Sequence, residues 1–230
     1  MNKYVRFLLP AFAVLFLFNT AATETPGQIL REVLKRMDNN NKSLTSLKAA
    51  IKMNKFDSVL RENDLKEGEV NYLPGKSEKN IYVRIDWTKP VVEHLAVANG
   101  QYVLYRPALE QAITGKVDRA TGSAKTGGAL AFMTMSKAEL SANYEVKYQG
   151  EESVSSGTST WRLLLTPKKP TSYKGAELWV DKDGMPVQAK IVEKNNDTTT
   201  ILLSNIKRNA TLKASLFKIS PPKRVKIIQG

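Results

Sequence analysis

Between Leu47 and Arg208 the chain keeps returning to one pattern, apolar and polar residues in strict alternation, cut by short turn signals. Ile81, Val83, Ile85 and Trp87 alternate with Tyr82, Arg84 and Asp86. Successive side chains of an extended strand point to opposite faces, so each such run has one greasy side. Leu47, Ala49, Ile51 and Met53 repeat the pattern, and Trp161, Leu163 and Leu165 share another face. Asn99-Gly100 and Asp183-Gly184 are two-residue hairpin signals between strands. A chain written this way folds as an antiparallel meander whose apolar face must be covered.

Two segments break the period of two and supply the cover. Thr25 and Gln28 fit a capping box with Pro26 at the first helical position, and Ile29, Val33, Leu34 and Met37 fall on one helical face. Asn39, Asn40 and Asn41 end that helix. In the middle of the chain, "GGALAFMTMSKAELSANY" reads as one or two short helices, with Ser136 and Glu139 as a second capping box. Long strands in a twisted sheet curl towards a barrel. If the sheet stays partly open and the helices close its mouth, a hydrophobic cavity lies between them.

The N-terminus is laid out as a secretory signal. Lys3 and Arg6 precede an apolar run from Phe7 to Phe18, and Ala21 and Ala22 follow, with cleavage expected after Ala22. The run is shorter than the roughly 20 residues of a comfortable membrane span. Residues 23–230 are then expected to form a single soluble domain. The sequence contains no cysteine, so the fold has no disulfide and no lipid-modified cysteine.

The formal charge of +13 becomes +11 once Lys3 and Arg6 leave, which favours anionic partners. Nucleic acid is excluded as a partner, because the basic residues follow no helix-turn-helix, zinc-finger or aromatic RNA-binding signature. Lys223, Arg224 and Lys226 concentrate charge near the C-terminus, as a docking contact or as a solvated tail.

Little in the chain nominates an enzyme. The single histidine, His94, lies in a strand beside Glu93 and reads as a surface or edge residue. Asp181 and Asp183 are turn formers, and Gly122–Gly128 lacks the spacing of a phosphate loop. The triplets at Asn41, Asn196 and Asn209 match a glycosylation acceptor that matters only in a eukaryotic secretory pathway. No catalytic residue, metal ligand or cofactor is assigned.

The ordered motifs resemble the periplasmic outer-membrane lipoprotein carriers, the LolA-like family. They run "SLTSLKAAI", "GEVNYLPGK", "YVRIDWTKP", "VANGQYVLYRPALEQA", "GALAFMTMSKAEL", "YEVKY", "LLLTPK", "AELWVDKDGMP" and "TTTILLSNI", and close with "LFKISPPKRVKII". The resemblance implies a mainly β (α+β) fold, an incomplete antiparallel β-barrel of about eleven strands, its concave apolar face covered by a helical lid. It implies a monomeric, non-enzymatic carrier in the periplasm. Such a carrier takes acylated lipoproteins from an inner-membrane ABC-type release complex to an outer-membrane receptor.

An acyl chain gains roughly 0.8 kcal/mol per buried CH₂, so a carrier that must release its load needs an adaptable cavity. Methionine, unbranched and flexible, suits that need. The expected cavity residues are Val83, Ile85, Trp87, Leu104, Leu130, Phe132, Met133, Leu163 and Val180. One departure stands out. Better-known carriers have an arginine after the strand corresponding to "EVNYL" that helps to hold the lid, whereas Leu73–Lys79 contains none, and Lys76 lacks the planar guanidinium fork. That leaves a second reading open: a carrier or sensor of free lipid or glycolipid, serving a dedicated exporter.

Overall fold

The computed structural model describes residues 25–74, 81–116, 133 and 135–230. Helix α1 (Pro26–Ser43) opens the described chain. Its predicted capping box is formed, with the Thr25 side chain accepting from Gln28 N–H and the Gln28 side chain from Thr25 N–H. Twelve strands follow, all in one sheet. They are β1 (Leu47–Asp57), β2 (Glu62–Leu73), β3 (Tyr82–Lys89), β4 (Glu93–Ala98), β5 (Gln101–Arg106), β6 (Gln111–Lys116), β7 (Tyr144–Ser153), β8 (Ser159–Pro167), β9 (Tyr173–Asp181), β10 (Pro186–Glu193), β11 (Thr198–Arg208) and β12 (Lys226–Gln229). Helix α2 (Lys137–Asn143) precedes β7 and carries the second capping box, between Ser136 and Glu139.

The strand order is β12-β6-β5-β4-β3-β2-β1-β11-β10-β9-β8-β7. The first six strands run as a meander, the next five as another, and the long pair β1–β11 joins the two halves. This is the open sheet expected, refined in two details. Twelve strands are present among the described residues where about eleven were expected. The last is parallel to its neighbour, Lys226 to Gln229 pairing with Gln111 to Thr114 of β6, where an all-antiparallel sheet was expected.

That parallel strand exists because the chain crosses the outer face of the sheet after β11. Asn209 N–H donates to Ser46 O at 2.9 Å, and the Asn209 side chain accepts from Thr45 N–H at 2.8 Å. A 3₁₀ turn at Ala214–Phe217 then packs on β3 and β4, with the Phe217 ring 5.9 Å from that of Tyr82. Tyr82 is out of phase with Val83 and therefore lies on the outer face. The C-terminal segment is thus a strap that seals the sheet from behind, and the small cluster it forms stands apart from the main core.

Candidate functional site

The inner face of the sheet is built by the alternation seen in the sequence. Register carries it across strands: Ala49 faces Val70, Val70 faces Ile85, Ile85 faces Leu95 and Leu95 faces Leu104. On the other half Leu163 faces Leu178, Leu178 faces Ala189 and Ala189 faces Ile201. Neighbouring strands are about 4.8 Å apart, so these rows form a continuous aliphatic wall.

Helix α1 lies over the β7–β10 half of this wall. Val33, Leu34 and Met37 are buried beneath it. One close approach is at the β9–β10 turn. Gly184 (φ 81°) lies so near the helix that a Cβ on it would sit 2.3 Å from the Arg36 carbonyl. Only glycine fits there, both for space and for a positive φ. Arg36 fastens the contact from the helix side: its Nη1 donates to Lys182 O at 2.8 Å, its guanidinium lies 5.2 Å from the Trp161 ring centre, and its Nε meets Glu32 at 2.9 Å. Asn40 Nδ2 reaches Met185 Sδ at 3.5 Å.

Between the C-terminal half of α1, Tyr72, Met133, Met135 and Pro186 there remains a cleft of only about 10 Å³. That is below the roughly 300–1,000 Å³ of sites that enclose small molecules. With α1 in this position the lid is shut on the wall, and a long acyl chain would have to displace it. A larger open groove of about 350 Å³ at the far end of the sheet has a mixed lining, with Phe56 and Leu60 beside Lys55, Asp57, Glu62 and Asp64, and is no part of this container.

Of the nine residues expected in the cavity, seven are described. Val83, Ile85 and Trp87 are buried on the inner face of β3, Leu104 is half-buried on β5, Leu163 and Val180 are fully buried on β8 and β9, and Met133 is buried on the lid side. The six on strands share one wall but not one pocket, since β1, β2, β10 and β11 separate β3 from β9. Leu130, Phe132, Lys76, Gly122–Gly128 and residues 1–22 lie outside the described residues. The sequence reading missed Val70, Tyr72 and Leu95 in the same rows, although their place in alternating runs was a usable signal. It also missed Arg36, whose partner lies 146 positions away.

The wall has one charged corner. Glu93 opposes Trp87 across β3 and β4, so it projects inwards, where it meets Lys66 Nζ at 2.5 Å and Arg106 Nε at 3.0 Å. The Arg106 contact is out of line for a hydrogen bond. These three side chains close the β2–β5 corner with polar groups. His94, one residue on, faces outwards and meets Asp86 Oδ1 at 2.5 Å. Burial pushes the Asp86 carboxyl up, but Arg84 and His94 together hold it below its usual range. Among the described residues no group of acidic and histidine side chains is placed to hold a metal ion.

The model of the family described as "Outer membrane lipoprotein carrier protein LolA" matches residues 78–220. The chain belongs to that family. An outer-membrane lipoprotein carrier protein of Xanthomonas campestris pv. campestris (strain B100) is 32% identical over 148 residues, covering 63% of this chain and 66% of that protein. One from Chromobacterium violaceum is 26% identical over 148 residues, with 64% and 66% coverage. The alignments therefore span just under two thirds of these relatives.

The fold is shared more widely. An uncharacterized conserved protein from Thermus thermophilus superposes with a TM-score of 0.55 at 14% identity, covering 88% of this chain and all of that one. MucB superposes with a TM-score of 0.52 at 14% identity, covering 83% of this chain and 62% of that one. In this chain an arginine lies on the lid helix, where Arg36 grips the backbone carbonyl of Lys182 in the β9–β10 turn.

Proposed function

We propose that this LolA-family chain is a periplasmic carrier that shields lipoprotein acyl chains on the inner wall of its sheet. It takes them up from an inner-membrane ABC-type release complex and yields them to an outer-membrane receptor. The observation that carries this reading is the pairing of a continuous aliphatic wall with a lid fastened by a few polar contacts around Arg36. The family membership and the names of its relatives supply the cargo class. In this reading residues 1–22 direct export and are removed, and residues 23–230 act without covalent chemistry.

The seven described candidates, Val83, Ile85, Trp87, Leu104, Met133, Leu163 and Val180, are proposed to touch the acyl chains. Leu130 and Phe132 are proposed to do so from the central segment. The wall supplies affinity, at roughly 0.8 kcal/mol per CH₂. The closed lid competes for the same surface, because cargo must displace Val33, Leu34 and Met37 before it can bind. Binding is thereby weakened enough for release, as differential affinity for two states requires. A second reading keeps the container and exchanges lipoprotein for free lipid or glycolipid. It is favoured by the lack of arginine between Leu73 and Lys79.

The test is photo-crosslinking in the native host. A photoreactive residue replaces Met133 or Leu104, and Lys52, on the outer face, serves as control. Triacylated lipoproteins in the inner-face adducts support the carrier reading. Lipid adducts without lipoprotein support the second, and no inner-face adduct from a folded, exported protein refutes both.

A further inference from the structure

The wall and lid do not account for the other apolar surface of this molecule, which is turned outwards. Val59 and Leu60 at the β1–β2 turn are 82% and 66% exposed, Val91 and Val92 at the β3–β4 turn 52% and 45%, and Leu109 at the β5–β6 turn 60%. Leu65, 62% exposed, lies on the part of β2 that runs past its last pair with β3, Glu67 with Lys89. The seventh strongly exposed large hydrophobic among the described residues, Ile227, pairs with Ala112 just beyond the β5–β6 turn. Single exposed aliphatics are ordinary, but a concentration at one end of a sheet marks an interaction surface.

The β1–β2 tip is a built feature. Asp57 Oδ1 accepts from Val59 N–H at 2.9 Å and from Leu60 N–H at 2.8 Å, and Arg61 closes the turn at φ 56°. Ser58 is tied to the β10–β11 turn, its N–H donating to Asp197 at 2.8 Å and its hydroxyl to Asn195 O at 2.7 Å. Two aliphatic side chains are thus held in water by a rigid polar frame. The three turns follow one another along the sheet, each about 10 Å from the next, because two strands separate them.

We propose that this end of the sheet docks on the surface of an anionic lipid bilayer, with the turn tips entering the headgroup–acyl boundary. Three observations favour a bilayer over a protein surface. The large apolar side chains exposed at the tips are all aliphatic, whereas the cores of protein interfaces are enriched in aromatic residues, Met and Arg. They are separate points at different heights, since β2 overhangs β3, and a fluid apolar layer accommodates such points without matching their shape. The chain is strongly basic, +13 formally, and of the acidic groups at this end Asp57 is engaged by its own turn, Glu67 by Lys52 and Lys89, and Glu110 by Arg224, which leaves the exposed Glu62 and Asp64 beside the exposed Arg61. A single myristoyl chain gives reversible binding of about 10⁴ M⁻¹, and docking of a few aliphatic tips is transient in the same way.

This proposal concerns the outer end of the sheet and stands or falls apart from what the inner wall carries. The experiment is flotation of the purified exported protein with vesicles of phosphatidylcholine and phosphatidylglycerol. The protein should float, and Val59→Ser with Leu60→Ser, or Val91→Ser with Val92→Ser, should each lower the bound fraction at least tenfold while leaving thermal unfolding unchanged. Since the chain has no cysteine, Leu60→Cys can be labelled uniquely with an environment-sensitive dye. Its emission should shift blue on vesicles, whereas the same dye at Ser156→Cys, on the opposite end, should not. No flotation, equal flotation of the serine variants, or an equal shift at both positions overturns the proposal. Failure to float combined with crosslinking of position 60 to a membrane protein overturns it in favour of a protein partner.

Discussion

Replacing Arg36 with alanine should loosen the lid without unfolding the sheet. The side chain is 41% exposed, and its ion pair with Glu32 lies within α1 and survives lid opening, so it does not count towards the fastening. The hydrogen bond to Lys182 O, partly screened, contributes about 1 kcal/mol. The stack on Trp161 adds about 0.5–1 kcal/mol. Together these come to about 1.5–2 kcal/mol, against the roughly 5–9 kcal/mol gross for burying three side chains the size of Val33, Leu34 and Met37. The lid therefore stays mainly closed, but its open population rises about 10–30-fold, at tenfold per 1.4 kcal/mol. Amide hydrogen exchange reads this directly, because local opening is measured residue by residue. Amides of α1 from Val33 to Asn40 should exchange about 10–30-fold faster, with β3 and β9 unchanged. Arg36→Lys should recover only a small part, lacking the flat fork. Unchanged exchange in α1, or an equal increase throughout the sheet, would refute the assignment of Arg36 as the lid's fastening.

Other outcomes follow from the same contacts. A Cβ on Gly68 would sit 2.2 Å from Asp86 O, so Gly68→Ala should lose about 1–3 kcal/mol in urea unfolding. Leu163, fully buried on the wall, should cost about 2–5 kcal/mol as Leu163→Ala. The folded-state pKa of Asp86 is lowered, so its contribution is present above the ordinary carboxylate value near pH 4 and is lost as the pH falls through the lowered value. Asp86→Asn should accordingly lower the Tm at pH 7, by an amount that shrinks as the pH is taken below the ordinary carboxylate range, as seen by circular dichroism.

How much of this was readable in advance depended on whether the signal was local. The alternation in Ile81–Trp87, the Asn99-Gly100 turn and both capping boxes are properties of adjacent residues, and each formed as read. The β1–β2 turn gave no such signal, because it uses no glycine or proline: Arg61 takes the positive φ and Asp57 caps the turn instead. The parallel pairing of β12 was illegible for a different reason. Four residues, Lys226 to Gln229, are placed by the strap that Phe217 pins across the outer face, and no period within them specifies a neighbour. The candidate site was legible as a face and not as a pocket, since alternation says which side of a strand is greasy but not which strands end up adjacent. The grip of Arg36 on Lys182 is tertiary and leaves no mark in either segment.

The central claim is that cargo and lid compete for the same wall. The most direct test follows hydrogen exchange in α1 while the purified protein is titrated with a synthetic triacylated lipopeptide. The account predicts that saturation strips protection from Val33 to Asn40 and leaves the hydrogen-bonded strands β3 and β9 protected. Saturable binding that leaves α1 as protected as in the free protein would contradict it, as would no binding at all.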